Sequence, residues 1–171
     1  RRGTMPLVEA LIEELKGYGV PVLFHNGNAA SDDERAKAIE HLSEALTAAE
    51  GAVTVVLHSL AFGTLRPYVN DDGPTIGRRH MDMTLDVMAH SLVYWVQDLL
   101  ASGHLKRGAR IYAMTSSGSI AAWPAYGAVS AAKCALESHI RQLAIELAPK
   151  GITANAIMAG VTRTAALAKI P

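Results

Sequence analysis

Arg110-Ile-Tyr-Ala-Met-Thr-Ser-Ser-Gly-Ser119, followed after six residues by Tyr126-Gly-Ala-Val-Ser-Ala-Ala-Lys133, decides the fold. Arg110–Thr115 is a short apolar run, and Ser116-Ser117-Gly118-Ser119 is a turn signal that ends it. Trp123-Pro124 is expected to open a helix, because Pro is acceptable in a first turn. That helix should run to Pro149-Lys150-Gly151, where Gly supplies a left-handed cap. Val129, Leu136, Ile140, Leu143 and Leu147 form its apolar stripe, and Lys133/Glu137, Glu137/Arg141 and Glu146/Lys150 are i,i+4 pairs. Ile152–Met158 reads as the next strand, ending at Ala159-Gly160. Strand, serine turn, helix, strand, glycine turn is the pattern of a parallel sheet, whose carboxyl edge binds ligands. Tyr126 and Lys133 fall on one helix face, two turns apart less about 20°. Side chains lean toward the helix N-terminus, so Lys133 reaches back toward the phenol. An ammonium there favours phenolate and lowers the Tyr pKa. A chance coincidence on one helix face is the alternative reading of the pair alone.

Working outward, Thr4–Lys16 is an amphipathic helix with Leu7, Val8, Leu11, Ile12 and Leu15 on one side. Val20–His25 is expected to be a strand. Ser31-Asp-Asp-Glu34 is a capping box for a helix that buries Ala38, Ile39, Leu42 and Leu46. Val53–His58 is almost uniformly apolar, which suits a strand covered on both faces. Tyr68-Val-Asn-Asp-Asp-Gly-Pro74 is a turn-rich loop whose carboxylates read as solvated. Residues 79–102 make a long helix carrying Leu85, Met88, Leu92, Val96 and Leu99. The 171 residues allow one domain, with four parallel strands, right-handed crossovers and helices on both faces. Half the residues are apolar and the formal net charge is zero, so there is no basic footprint for nucleic acid. The single cysteine, Cys134, excludes an internal disulfide, fits a reducing compartment, and reads as a small core hydrophobe. No apolar run approaches the ~18 residues of a membrane span. The opening Arg1-Arg2 segment lacks an apolar signal core.

These segments together resemble the short-chain dehydrogenase/reductase superfamily, and within it the divergent enoyl-acyl carrier protein reductases. The common superfamily spacing is Tyr-x3-Lys, but that position here is Ser130; the enoyl reductases use Tyr-x6-Lys, as at Tyr126 and Lys133. Leu57-His58-Ser59-Leu60-Ala61-Phe62, Leu136-Glu137 and Asn155-Ala-Ile-Met-Ala-Gly160 with Thr162-Arg163-Thr164 resemble the family in the same order. The resemblance implies a Rossmann-like, doubly wound parallel sheet of order 3-2-1-4-5-6. It also implies that residues 1–171 are a partial dinucleotide-binding domain, a fragment lacking the first two strands. No G-x-G-x-x-G occurs in the chain. Val20–His25 would then be the third strand, without a neighbour to pair with.

The function implied is hydride transfer from NAD(P)H to the β-carbon of a trans-2-enoyl thioester, carried on acyl carrier protein or coenzyme A, in the cytoplasm. Tyr126 would donate a hydrogen bond to the thioester oxygen, and Lys133 would hold the nicotinamide ribose. Ser116 stands where many members carry a second Tyr; it either assists the oxygen or caps the turn. Asn28-Ala29 would wall the adenine, Ser59-Leu60-Ala61 would lie along the ribose and nicotinamide, and Val161-Thr162-Arg163-Thr164 would hold the amide. Each has a plain alternative as a strand-end residue. Arg1 and Arg2 would follow the strand that reads the adenosine ribose, where Arg suits a 2′-phosphate and favours NADPH over NADH; a solvated basic pair is the alternative. The helix near 82–100 and the Tyr/Lys helix would pair across a two-fold axis in a homotetramer, with Val93, Tyr94 and Trp95 as spare apolar surface. Two rivals stand beside this reading: a 3-oxoacyl or ketone reductase of the same superfamily, and a non-catalytic fragment.

Overall fold

The computed structural model describes residues 5–160. Three parallel strands, β1 (Val53–His58), β2 (Leu105–Thr115) and β3 (Thr153–Met158), lie in the order β1-β2-β3. His58 pairs with Ala113 and Thr115 with Met158, so the carboxyl ends of all three come to one edge. Helices α1 (Met5–Gly17) and α2 (Asp32–Ala48) precede β1. Between β1 and β2 runs one continuous helical rod: α3 (Arg78–Leu85), a π turn (Asp86–His90) and α4 (Ser91–Ala101). Between β2 and β3 come a 3-10 turn (Ser117–Ser119) and α5 (Gly127–Leu147), extended by a second 3-10 turn (Ala148–Lys150).

The alternation of β2 explains the packing. Ala109, Ile111, Ala113 and Thr115 point one way and are buried, whereas Arg110 points the other way and is exposed. The buried row meets Leu92, Val96 and Leu99 from α4 and Leu136, Ile140, Leu143 and Leu147 from α5. All five residues of the expected α5 stripe are buried. Gly151 adopts the left-handed conformation (φ 69°) that ends the helical segment, as its position after Lys150 implies.

Several expectations are corrected. The segment at Val20–His25 forms no strand, and Val20, Leu23 and Phe24 are exposed. A strand needs a partner for its backbone groups, and none of the described residues pairs with this segment. Helix α1 forms where its periodicity put it, but it buries nothing: Leu7 is 72% and Leu11 52% exposed. The sheet is covered by α4 and α5 on one face; on the other, Val55, Leu57 and Ile157 are exposed among the described residues. The Tyr/Lys helix starts at Gly127, not at Trp123-Pro124, because Ala125 is left-handed (φ 58°) and Tyr126 N–H closes a turn on the Trp123 carbonyl. The long helix carries a π turn that apolar periodicity does not reveal. Cys134 is exposed rather than in the core, with its thiol donating to the Ser119 carbonyl. Tyr94 and Trp95 are not spare surface: Tyr94 lies under the Arg35 guanidinium and Trp95 donates to the Ala29 carbonyl, so both hold the α2 side of the chain.

Half of the capping box forms. Ser31 Oγ accepts from the Glu34 N–H at 3.5 Å, while the Glu34 carboxylate turns to Lys37 and His25 instead of back to the cap. No helix among the described residues is long and apolar enough to cross a membrane.

Candidate active site

The carboxyl end of β2 and the first turn of α5 are stitched together by two rows of side chains. Tyr126, Ser130 and Cys134, spaced by four, form the first row. Ser130 Oγ donates to the Gly118 carbonyl and Cys134 Sγ to the Ser119 carbonyl at 3.2 Å, so α5 is tied to the serine turn. Gly118 sits beneath this row. A Cβ built there would stand 3.2 Å from Ser116 Oγ and 3.3 Å from the Trp123 ring, and would run into the Tyr126 ring. Trp123 meets Tyr126 edge-on, with centroids 5.5 Å apart and planes at 87°. Only a residue without a side chain lets Ser116, Trp123 and Tyr126 converge. Ser116 Oγ is buried and has no hydrogen-bond partner among the described residues.

Lys133 and Glu137 form the second row and face the strand end. Lys133 is only 6% exposed, and its Nζ donates to the Met114 carbonyl at 2.6 Å. Burial pushes the Lys133 pKa down, opposed in part by the Glu137 charge. Thr115 Oγ1 donates to Glu137 Oε1 at 2.6 Å. Burial pulls the Glu137 carboxyl upward, yet hydrogen bonds from Thr115 and Ser119 and the charges of Arg141 and Lys133 outweigh it, leaving the pKa below its ordinary value.

His58 ends β1 at the same edge. Its Nε2 lies 2.9 Å from Ser91 Oγ, and Ser91 in turn donates to the Val87 carbonyl at 2.8 Å. The hydroxyl proton is thereby committed to Val87, so His58 Nε2–H donates to the Ser91 oxygen and Nδ1 is left as an acceptor. Nδ1 is buried without a partner among the described residues. Burial, helped by the Lys133 charge, pushes the His58 pKa down to about 4, so the ring is neutral near pH 7.

Among the residues marked from sequence, Ser116 and Tyr126 are brought together around Gly118, and Lys133 lies at the end of the same strand. Ser59, Leu60 and Ala61 follow His58 off the end of β1, with Leu60 half-buried and the other two exposed. Asn28 and Ala29 are not carried there by a strand. Asn28 Oδ1 accepts from the Ala30 N–H at 3.1 Å in a turn that leads into α2. Arg1, Arg2, Val161, Thr162, Arg163 and Thr164 lie outside the described residues. Sequence reasoning missed Gly118, Trp123 and His58 as individual site residues. For His58 a signal existed, since it is an ionisable group closing an apolar run, although His25 closes Val20–His25 in the same way. Gly118 was legible only as a turn former.

Known proteins point the same way. The family described as Enoyl-(Acyl carrier protein) reductase matches residues 5–171. The chain is 28% identical over 162 residues to the enoyl-[acyl-carrier-protein] reductase [NADH] of Aquifex aeolicus, covering 94% of this chain and 57% of that protein. It is 30% identical over 159 residues to the enzyme of the same name from Nostoc, covering 93% of this chain and 57% of the relative. The crystal structure of the Aquifex aeolicus enzyme superposes with a TM-score of 0.77 at 25% identity, covering 94% of this chain and 61% of that one. The chain thus spans little more than half the length of these relatives. With its parallel sheet, serine turn and Tyr126/Lys133 helix, the chain belongs to the enoyl-(acyl carrier protein) reductase family of the short-chain dehydrogenase/reductase superfamily.

Proposed function

We propose that the full-length protein reduces the double bond of a trans-2-enoyl thioester, linked to acyl carrier protein or coenzyme A, with NADPH or NADH as the reductant. The observation that carries this reading is the division of labour along α5. Ser130, where a Tyr-x3-Lys reductase would need its ammonium, is committed to the Gly118 carbonyl, while the buried ammonium comes from Lys133 at the end of β2.

A nicotinamide cofactor fits the groups on offer. Lys133 uses one of its three donors on Met114, leaving two for ribose hydroxyls, while Ser116 Oγ, buried without a partner among the described residues, is left for the substrate oxygen. When bound, the cofactor supplies a hydride to the β-carbon. The phenol of Tyr126, seated over Gly118 at the helix start, donates a hydrogen bond to the thioester oxygen as negative charge gathers there. Lys133 holds the ribose and keeps the field at the phenol positive. Ser116 offers a second donor to the same oxygen. Ser59-Leu60-Ala61 line the ribose side; for Thr162 and Thr164, outside the described residues, the family resemblance implies the carboxamide. Arg1 and Arg2, also outside them, would suit a 2′-phosphate, which slightly favours NADPH over NADH; relatives named [NADH] and relatives named [NADPH] both occur. The free thiol of Cys134 suits a reducing compartment, and we assign the activity to the cytoplasm.

The convergence of Ser116 and Tyr126 favours a second reading, a 3-oxoacyl reductase. One experiment separates them: NAD(P)H oxidation by the full-length protein with a trans-2-enoyl thioester against a 3-oxoacyl thioester. The enoyl substrate should be turned over and the 3-oxoacyl substrate left almost untouched; the reverse preference sinks the proposal. Tyr126→Phe should lower kcat on the order of 10²-fold with little change in cofactor affinity, the scale of losing one oxyanion donor. Lys133→Met should weaken cofactor binding and turnover together. Unchanged activity in Tyr126→Phe removes its assigned role for either substrate.

A further inference from the structure

The loop at residues 28–30 is tied to helix α4. The Ala29 carbonyl accepts from Trp95 Nε1 at 2.9 Å, across 66 positions of sequence. Arg35, buried at 6% exposure, reaches the Ala30 carbonyl at 3.4 Å. Its guanidinium is fixed in turn by Asp98 of α4 and by Asp32, each at 2.8 Å, and lies 5.1 Å from the centre of the Tyr94 ring. A buried guanidinium paired on two edges and stacked on a face has little freedom left. Inside the loop, Asn28 takes hydrogen bonds from the N–H groups of Ala30 and Ser31, at its side-chain and backbone oxygens respectively. These contacts with α4 and α2 hold the loop in place. Ala29 and Ala30 carry only methyl groups, so a planar base can lie close against their backbone.

We propose that Trp95 and Arg35 are positioning residues for the adenosine half of the cofactor, holding Asn28–Ala30 as a preformed wall of the adenine subsite. The inference rests on the proposed function for the assignment of that loop to adenosine. Its physical content is preorganisation: a loop already fixed to α4 need not be ordered when the base arrives, so that cost does not weaken binding. Without the indole N–H, the Ala29 carbonyl loses its anchor and the wall must be ordered by the ligand itself.

The test uses the full-length protein, adenosine 5′-monophosphate as a probe of the subsite alone, and reduced nicotinamide mononucleotide as a reductant that lacks adenosine. Trp95→Phe keeps the ring and removes the N–H; Arg35→Lys keeps the charge and removes the fork. Both should weaken adenosine 5′-monophosphate binding about tenfold and raise the KM for the dinucleotide by a similar factor. The KM for the mononucleotide should move less than twofold. A purely structural role would depress the two reductants equally, and that result overturns the proposal. So does a Trp95→Phe protein that binds adenosine 5′-monophosphate as tightly as the unaltered one, or an unaltered protein that does not bind it at all. Trp95-dependent binding of the nucleotide in a protein that reduces no enoyl thioester would support this inference while refuting the reaction proposed above.

Discussion

At the scale of single residues, Gly118 and His58 show how little room the site has for change. Gly118→Ala places a methyl against the Tyr126 ring and within 3.2 Å of Ser116 Oγ, in a turn already tied to α5 through Ser130. Overpacking of this kind costs about 1–3 kcal/mol, and the Tyr126 ring is the group that must move. The expected result is a lowered melting temperature together with a loss of turnover larger than any loss of cofactor affinity. His58 makes a prediction about pH. Its folded pKa, about 4, lies below the ordinary value of 6.5, so the unfolded chain binds more protons between those limits. The unfolding free energy therefore rises with pH across that window. The contribution is fully present above about pH 6.5 and is lost as pH falls toward 4, on the order of 3 kcal/mol in all. Melting curves at several pH values should show this slope, and His58→Gln should flatten it. A slope confined to pH below 4 would assign acid lability to carboxylates such as Glu137 and not to His58.

At the scale of elements, the two amphipathic helices read from sequence behave oppositely. The stripe of α5 meets β2 and α4, and Leu136 is fully buried. The stripe of α1 is only partly covered among the described residues, with Val8 and Ile12 half-buried and Leu11 52% exposed. In the 171-residue chain, Leu136→Ala should lower stability by about 2–5 kcal/mol, whereas Leu11→Ala should stay within about 0.5 kcal/mol. Urea unfolding of both variants checks this; equal losses would mean that α1 is packed after all. Periodicity specifies that a helix has an apolar side, and it carries no information on whether a partner is present to cover it. The same reasoning covers residues 20–25, whose composition suits a strand but whose backbone finds no pairing partner. The π turn at Asp86–His90 was equally invisible from pattern, since one extra residue in a helical rod shifts the stripe only locally.

For the whole molecule, the open question is assembly. Tyr94 and Trp95, which the sequence offered as pairing surface, are engaged by Arg35 and Ala29 within the chain. The outward side of α5 still presents Ile145, 71% exposed. Exposed apolar groups of this size mark contact surfaces when they are contiguous. We predict that the full-length protein sediments as a homotetramer at micromolar concentration. A monomer there would remove the assembly proposal without touching the chemistry.

What the sequence determined by itself is the local grammar of the fold and the close placement of Tyr126 and Lys133 along the chain. Apolar runs, the serine turn, the α5 stripe and the Gly151 cap are short-range features, written in the chemistry of neighbouring residues. The Tyr126-x6-Lys133 spacing belongs with them, because one helix and its N-cap residue carry the two groups. Only the tertiary structure decided what depends on residues far apart in the chain. Gly118 must lack a side chain because Tyr126 and Trp123 close over it; Lys133 is buried because β2 ends beneath it; His58 is neutral because it is buried and the Lys133 charge, from another element, opposes its protonation. The loop at Asn28 hangs from Trp95 for the same reason. Burial and long-range pairing are properties of the packed chain, and no local pattern encodes which partner will arrive.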